Sequence, residues 1–106
     1  MTFELVTEST PSLKVYLDAL DQERKTGYEG QPSVTTTKET EVTVDGQKAS
    51  QREVFLNAAG IPEIETFVFV KGTIYLFATR FAGETSLIEG DRTLHQNILS
   101  TVKFEK

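Results

Sequence analysis

The 106-residue chain has no cysteine and no tryptophan, and only one histidine and one methionine. Without cysteine there are no disulfides, no thiol nucleophile and no thiolate metal site. The compartment stays open, because cytosolic proteins and disulfide-free exported proteins share that feature. A single imidazole cannot supply a paired-histidine metal centre. Clustered positive charge is also missing. Eleven Lys and Arg face sixteen Asp and Glu, for a net charge of −5, and no basic run occurs. That balance argues against binding nucleic acid or an anionic membrane through charge. No apolar run reaches the length of a membrane span. The stretch from Met1 to Thr10 lacks the basic and long apolar regions of a secretory signal. No repeat and no low-complexity tract breaks the chain, so residues 1–106 read as one α+β domain.

What remains is a regular alternation of patterns. Phe3 to Val6 reads as a short strand. Thr10-Pro11-Ser12 then opens a helix expected over about Pro11 to Lys25, with Thr10 as the cap and Pro11 at the first helical position. Leu13, Tyr16, Leu17 and Leu20 fall at i, i+3, i+4 and i+7 as one apolar stripe. Gly27 is a stop signal, and Tyr28 to Pro32 is a turn-rich connection. Val34 to Thr37 and Glu41 to Val44 favour strand. Asp45-Gly46 then predicts a two-residue hairpin loop, because both positions of such a turn need positive φ. The return strand is Gln47 to Leu56. That register sets Val44 against Gln47, Val42 against Ala49, Lys38 against Glu53 and Thr36 against Phe55. It gathers Val42, Val44, Ala49 and Phe55 on one face.

Asn57 to Glu63, with Gly60 and Pro62, interrupts the pattern. Ile64 to Val70 and Thr73 to Phe81 form a second hairpin around Lys71-Gly72. Both of its faces are apolar. Phe67, Phe69, Ile74, Leu76 and Ala78 share one side, and Ile64, Val68, Val70, Tyr75 and Phe77 the other. Such a pair should be central, or covered by helices on both sides. Ala82 to Asp91 reads as an acidic loop. Asp91 is expected to cap a last helix, Arg92 to Thr101, that buries Leu94, Ile98, Leu99 and Val102. Phe104 should pack as the chain leaves it. Leu17, Phe67, Leu76 and Ile98 are expected in the core. Hairpins impose antiparallel pairing, so the expectation is a largely antiparallel sheet of about four to five strands flanked by two helices.

Candidate chemistry is sparse. His95 sits at the edge of the last helix's apolar face, with no second His or Cys for a metal and no nucleophile at a recognised spacing; a structural role is the simpler reading. Glu84, Glu89 and Asp91 could hold a hard cation, yet they lack the alternating carboxylate pattern of a calcium loop, and a solvated loop explains them. Glu39 and Glu41 share a strand face, where acids commonly blunt edge pairing. Arg52 and Arg80 lie within strands and are the candidate partner-binding cations, against the plainer alternative of internal ion pairs. The aromatic set Phe67, Phe69, Tyr75, Phe77 and Phe81 could line a pocket, with core packing the plainer use. No catalytic residue, metal ligand or cofactor is assigned.

Three segments together resemble bacterial PsbP-related proteins of the PsbP/Mog/DcrB-like superfamily. Ser12-Leu13-Lys14-Val15-Tyr16-Leu17 is similar to that family's "SLEEYL" helix start. Glu41 to Ala49 (EVTVDGQKA), followed by Gln51-Arg52-Glu53, resembles its "V-V-DG-x-x-A-x-x-R" hairpin. Asn97 to Phe104 (NILSTVKF) is similar to its closing "ILSTFKF". The family's N-terminal "Y-x-I-x-Y-P-x-x-W" region has no counterpart here, so the chain reads as a shortened or excised version. The resemblance implies an α/β/α sandwich with one helix on each face of an antiparallel sheet. It implies a non-catalytic binding or accessory domain with a protein partner. It favours an extracytoplasmic setting, periplasm or lipoprotein, over the cytoplasm. Two alternatives stand beside it: a small ligand-binding protein or minor enzyme using a pocket near His95 and the 83–91 loop, and a chaperone or adaptor for an apolar segment of a secreted partner.

Overall fold

The computed structural model describes residues 2–26 and 31–104. Among them, seven elements follow in chain order: β1 (Thr2–Ser9), α1 (Leu13–Thr26), β2 (Val34–Val44), β3 (Gln47–Leu56), β4 (Ile61–Val70), β5 (Thr73–Arg80) and α2 (Glu89–Ser100). The expected stop at Gly27 and the turn at Tyr28 to Gly30 lie outside the described residues. The five strands form one antiparallel sheet in the order β1-β5-β4-β3-β2. Strands β2 to β5 are a meander, and β1 returns to pair with β5. Asp45-Gly46 (φ 49° and 77°) and Lys71-Gly72 (φ 48° and 81°) are both left-handed pairs. Two successive residues at positive φ give the loop the twist that the flanking strands need.

The β2–β3 register follows the sequence expectation from Val44–Gln47 through Lys38–Glu53. Beyond Lys38 a bulge intervenes, so Thr36 lies opposite Val54 and not Phe55. Thr37 is the extra residue, and its hydroxyl donates to the Glu53 carbonyl at 3.0 Å. Strand β4 starts at Ile61, earlier than Gly60 and Pro62 suggested. Pro62 lies next to the strand's start, where losing one donor is tolerated, and its carbonyl still accepts the Phe81 N–H at 3.1 Å.

The helices lie on opposite faces of the sheet. Tyr16 of α1 packs on Phe67 with ring centroids 5.9 Å apart, while His95 of α2 bonds the adjacent Thr66, and neighbours on a strand point to opposite sides. Under α1 the core holds Val54, Phe67, Ile74 and Ala78; under α2 it holds Val44, Ala49, Val68, Phe77 and Leu99. Phe67 is fully buried, whereas Leu17, Leu76 and Ile98 are only half-buried. Phe104 packs on Tyr75 at 5.0 Å.

Both helix starts differ from the sequence reading. Ser12 caps α1: its hydroxyl accepts the Val15 N–H at 3.1 Å, and Thr10 instead donates to the Ser12 carbonyl. Helix α2 begins at Glu89, so Asp91 lies inside the first turn. From there its carboxylate accepts the Ile88 N–H at 3.1 Å, which is one half of a capping box. The buried face of the helix differs as well. Its buried line is Asp91, His95 and Leu99, spaced i, i+4, i+8, and Leu94 is exposed.

Candidate functional site

The α1 face of the sheet carries an ionic layer beside its apolar core. Arg52, 4 % exposed, sends both terminal nitrogens to Asp21 of α1 at 2.6 and 3.1 Å, and its Nε to Glu39. Its guanidinium also lies 5.7 Å from the Phe67 ring centroid, within cation–π range. One strand over, Glu65 takes a two-pronged bond from Arg24 at 2.8 and 2.6 Å. Two residues along the same face, Glu63 accepts from Arg80 at 2.9 Å. Arg80 is half-exposed and also faces Glu4 of β1 at 3.7 Å. Burial, then the neighbouring Glu65 charge, pushes the Glu63 carboxyl up to about 7. A like charge on the same strand face adds to the cost of ionising a buried acid.

The structure therefore places the two sequence candidates differently. Arg52 is sealed under α1 with its donors in internal pairs. Arg80 remains partly open at the β1 end of the sheet.

On the α2 face, His95 is 1 % exposed. Its Nε2 lies 2.8 Å from the Thr66 hydroxyl and its Nδ1 2.8 Å from the Thr79 hydroxyl. A neutral imidazole has one donor and one acceptor nitrogen, so one threonine accepts and the other donates. Burial lowers the imidazole to about 4 and keeps it neutral at ordinary pH. Nearby, Arg92 grips Glu53 with two nitrogens at 2.8 and 3.0 Å and holds that carboxyl below its usual range. A cleft of about 370 Å³ opens over this pair, between α2 and the Lys38–Thr40 stretch of β2. The acids of the 83–91 loop are mostly engaged: Asp91 in the helix start, Glu89 with Arg92 at 3.4 Å, and Glu84 beside Asp91, which shares in raising it after desolvation. Among the described residues no three His, Asp or Glu side chains converge as a metal-binding group.

The third feature was not singled out in the sequence. Strand β1 is exposed along its whole length and is an edge of the sheet. It carries Phe3, Leu5 and Val6 at 40 %, 51 % and 37 % exposure. Phe3 stacks on Phe77, with centroids 6.4 Å apart. Phe3 and Leu5 then continue into an open groove completed by Tyr75, Phe77, Ile98 and Phe104. Edge strands are usually blunted by charged residues, Lys above all, by Pro or by a bulge. The opposite edge, β2, has the Thr36/Lys38 bulge together with Lys38, Glu39 and Glu41. Strand β1 has no Lys, Pro or bulge, and its charges are Glu4 and Glu8 alone. The available signal was the run Phe3-Glu4-Leu5-Val6, which reads as a strand but does not mark it as an edge.

No helix among the described residues is long and apolar enough to cross a membrane. Comparison of the chain with family models, curated proteins and solved structures finds no match in any of the three.

Proposed function

We propose that this domain is a binding module that accepts an extended, partly apolar protein segment along β1. The observation that carries the reading is the contrast between the two sheet edges: β2 is bulged and carries Lys38, Glu39 and Glu41, whereas β1 pairs without a bulge and exposes Phe3, Leu5 and Val6 between Glu4 and Glu8. A segment added there would take main-chain hydrogen bonds from the open edge. Its apolar side chains would settle toward the Phe3–Leu5–Tyr75–Phe104 groove, the general mode of β-strand addition. The resemblance to PsbP-related accessory proteins supports the same class of role. So does the engagement of the polar clusters on both faces, which leaves His95 and Arg52 buried among internal partners. Arg80, half-exposed between Glu63 and Glu4, would read an acid on the added segment.

A display library of ten-residue random peptides tests this. Enriched sequences should alternate apolar and polar residues, and Thr7→Pro, which places a ring on the open edge, should abolish their binding while the far-ultraviolet spectrum is kept. Enrichment of peptides that bind Thr7→Pro and the parent equally would refute the reading.

A further inference from the structure

The strand β1 is complementary to itself, and we infer that its occupant is a second copy of this chain, paired β1 to β1 about a two-fold axis through Leu5. This rests on the proposed use of β1 as a docking edge and names the partner. The Thr10 N–H donates to the Gly72 carbonyl at 3.0 Å, and Thr10 continues the β1–β5 register that sets Ser9 against Thr73. Donors alternate along a strand. Thr2, Glu4, Val6 and Glu8 therefore turn their backbone groups to β5, and Phe3, Leu5 and Thr7 turn theirs outward.

A two-fold axis perpendicular to the sheet keeps each α2 face with its counterpart, so paired positions in the two copies share parity. Three centres are then possible near the middle of the strand. Centring on Glu4 opposes Glu4 to itself, and centring on Val6 opposes Glu4 to Glu8; like charges directly opposite are unfavourable. Centring on Leu5 sets Glu4 against Val6, Thr2 against Glu8, Phe3 against Thr7, and Leu5 against Leu5. No acid then faces an acid. The same register puts Glu8 of the second copy in the row of Thr2, and Thr2 pairs with Arg80. The two charged residues stand two strand spacings apart, about 10 Å, within the combined reach of an Arg and a Glu side chain. The two apolar grooves become neighbours across the Leu5 pair. With one short strand per copy the interface is small, so the dimer is reversible and its population rises with concentration.

The absence of native cysteine makes a direct test possible. In hydrogen-bonded antiparallel pairs the Cα atoms are about 5.5 Å apart, so Leu5→Cys should cross-link to itself under mild oxidation or with a short thiol-to-thiol linker. Thr7→Cys and Phe3→Cys, whose own copies lie four residues apart or about 14 Å, should not cross-link alone. An equal mixture of Phe3→Cys and Thr7→Cys should. Sedimentation of the unaltered chain should show the mass doubling with concentration, and Leu5→Glu should abolish that increase. A chain that stays monomeric at all concentrations while display-selected peptides still bind β1 overturns the self-pairing and leaves the binding-edge reading intact. Failure of both removes both. Self-cross-linking of Val6→Cys or Glu4→Cys in preference to Leu5→Cys overturns the register.

Discussion

Two buried titrating residues dominate at the scale of single side chains, and they act in opposite directions. His95 falls from 6.5 to about 4 on folding because it is desolvated. Between those values the unfolded chain binds more protons, so the His95 contribution is present above pH 6.5 and is lost as pH falls toward 4. Glu63 rises from 4.5 to about 7, through desolvation and the charge of Glu65. There the folded chain binds more protons, so its contribution is present below pH 4.5 and is lost as pH rises through 7. Each effect amounts to at most about 3 kcal/mol, and over roughly pH 4.5 to 6.5 they offset one another. The expected outcome is a nearly flat stability profile for the parent chain. His95→Gln should lose stability as pH rises, and Glu63→Gln should gain it. Urea midpoints at half-unit pH steps measure this, and parallel slopes in the two variants would contradict it. The sequence reading placed His95 as structural and at the helix edge. It did not show that this polar residue would be the most buried position on the helix, because the demand for it comes from Thr66 and Thr79 on strands far away in sequence.

At the scale of elements, the turns are the most legible features. Asp45-Gly46 and Lys71-Gly72 both lie where their composition demanded, and the glycine of each pair has φ near 80°. Beyond the adjoining residues, no heavy atom would lie within 4 Å of a Cβ at either glycine, so substitution acts through backbone strain and not through collision. Gly46→Val and Gly72→Val should each cost about 1 kcal/mol or more, read as a shift of the urea midpoint at constant slope; unchanged midpoints in both would contradict the turn geometry. The helix ends were less legible. Ser12 displaced Thr10 as the cap because one turn of helix separates its hydroxyl from the Val15 N–H. Asp91 displaced itself into the first turn because a carboxylate can satisfy a donor from either side of a helix start. The bulge at Thr37 left no mark in the pattern, since a run of threonines fits either face.

For the whole molecule, the β2–β3 and β4–β5 pairings followed from local signals, because Asp45-Gly46 and Lys71-Gly72 force their flanking strands together, but the full strand order did not. The position of β1 did not follow from local signals, because a non-local pairing with β5 across the length of the chain decides it. That pairing leaves one bulged edge, β2, and one unbulged edge, β1, and the proposed binding role depends on this asymmetry. Backbone amide hydrogen exchange at low protein concentration tests it most directly. The account predicts fast exchange at Phe3, Leu5 and Thr7, protection at Glu4, Val6 and Glu8 through β5, and slowing of the first three alone as concentration or bound peptide increases. Equal protection of all six at low concentration, or odd-numbered amides that stay fast when the edge is occupied, would contradict it.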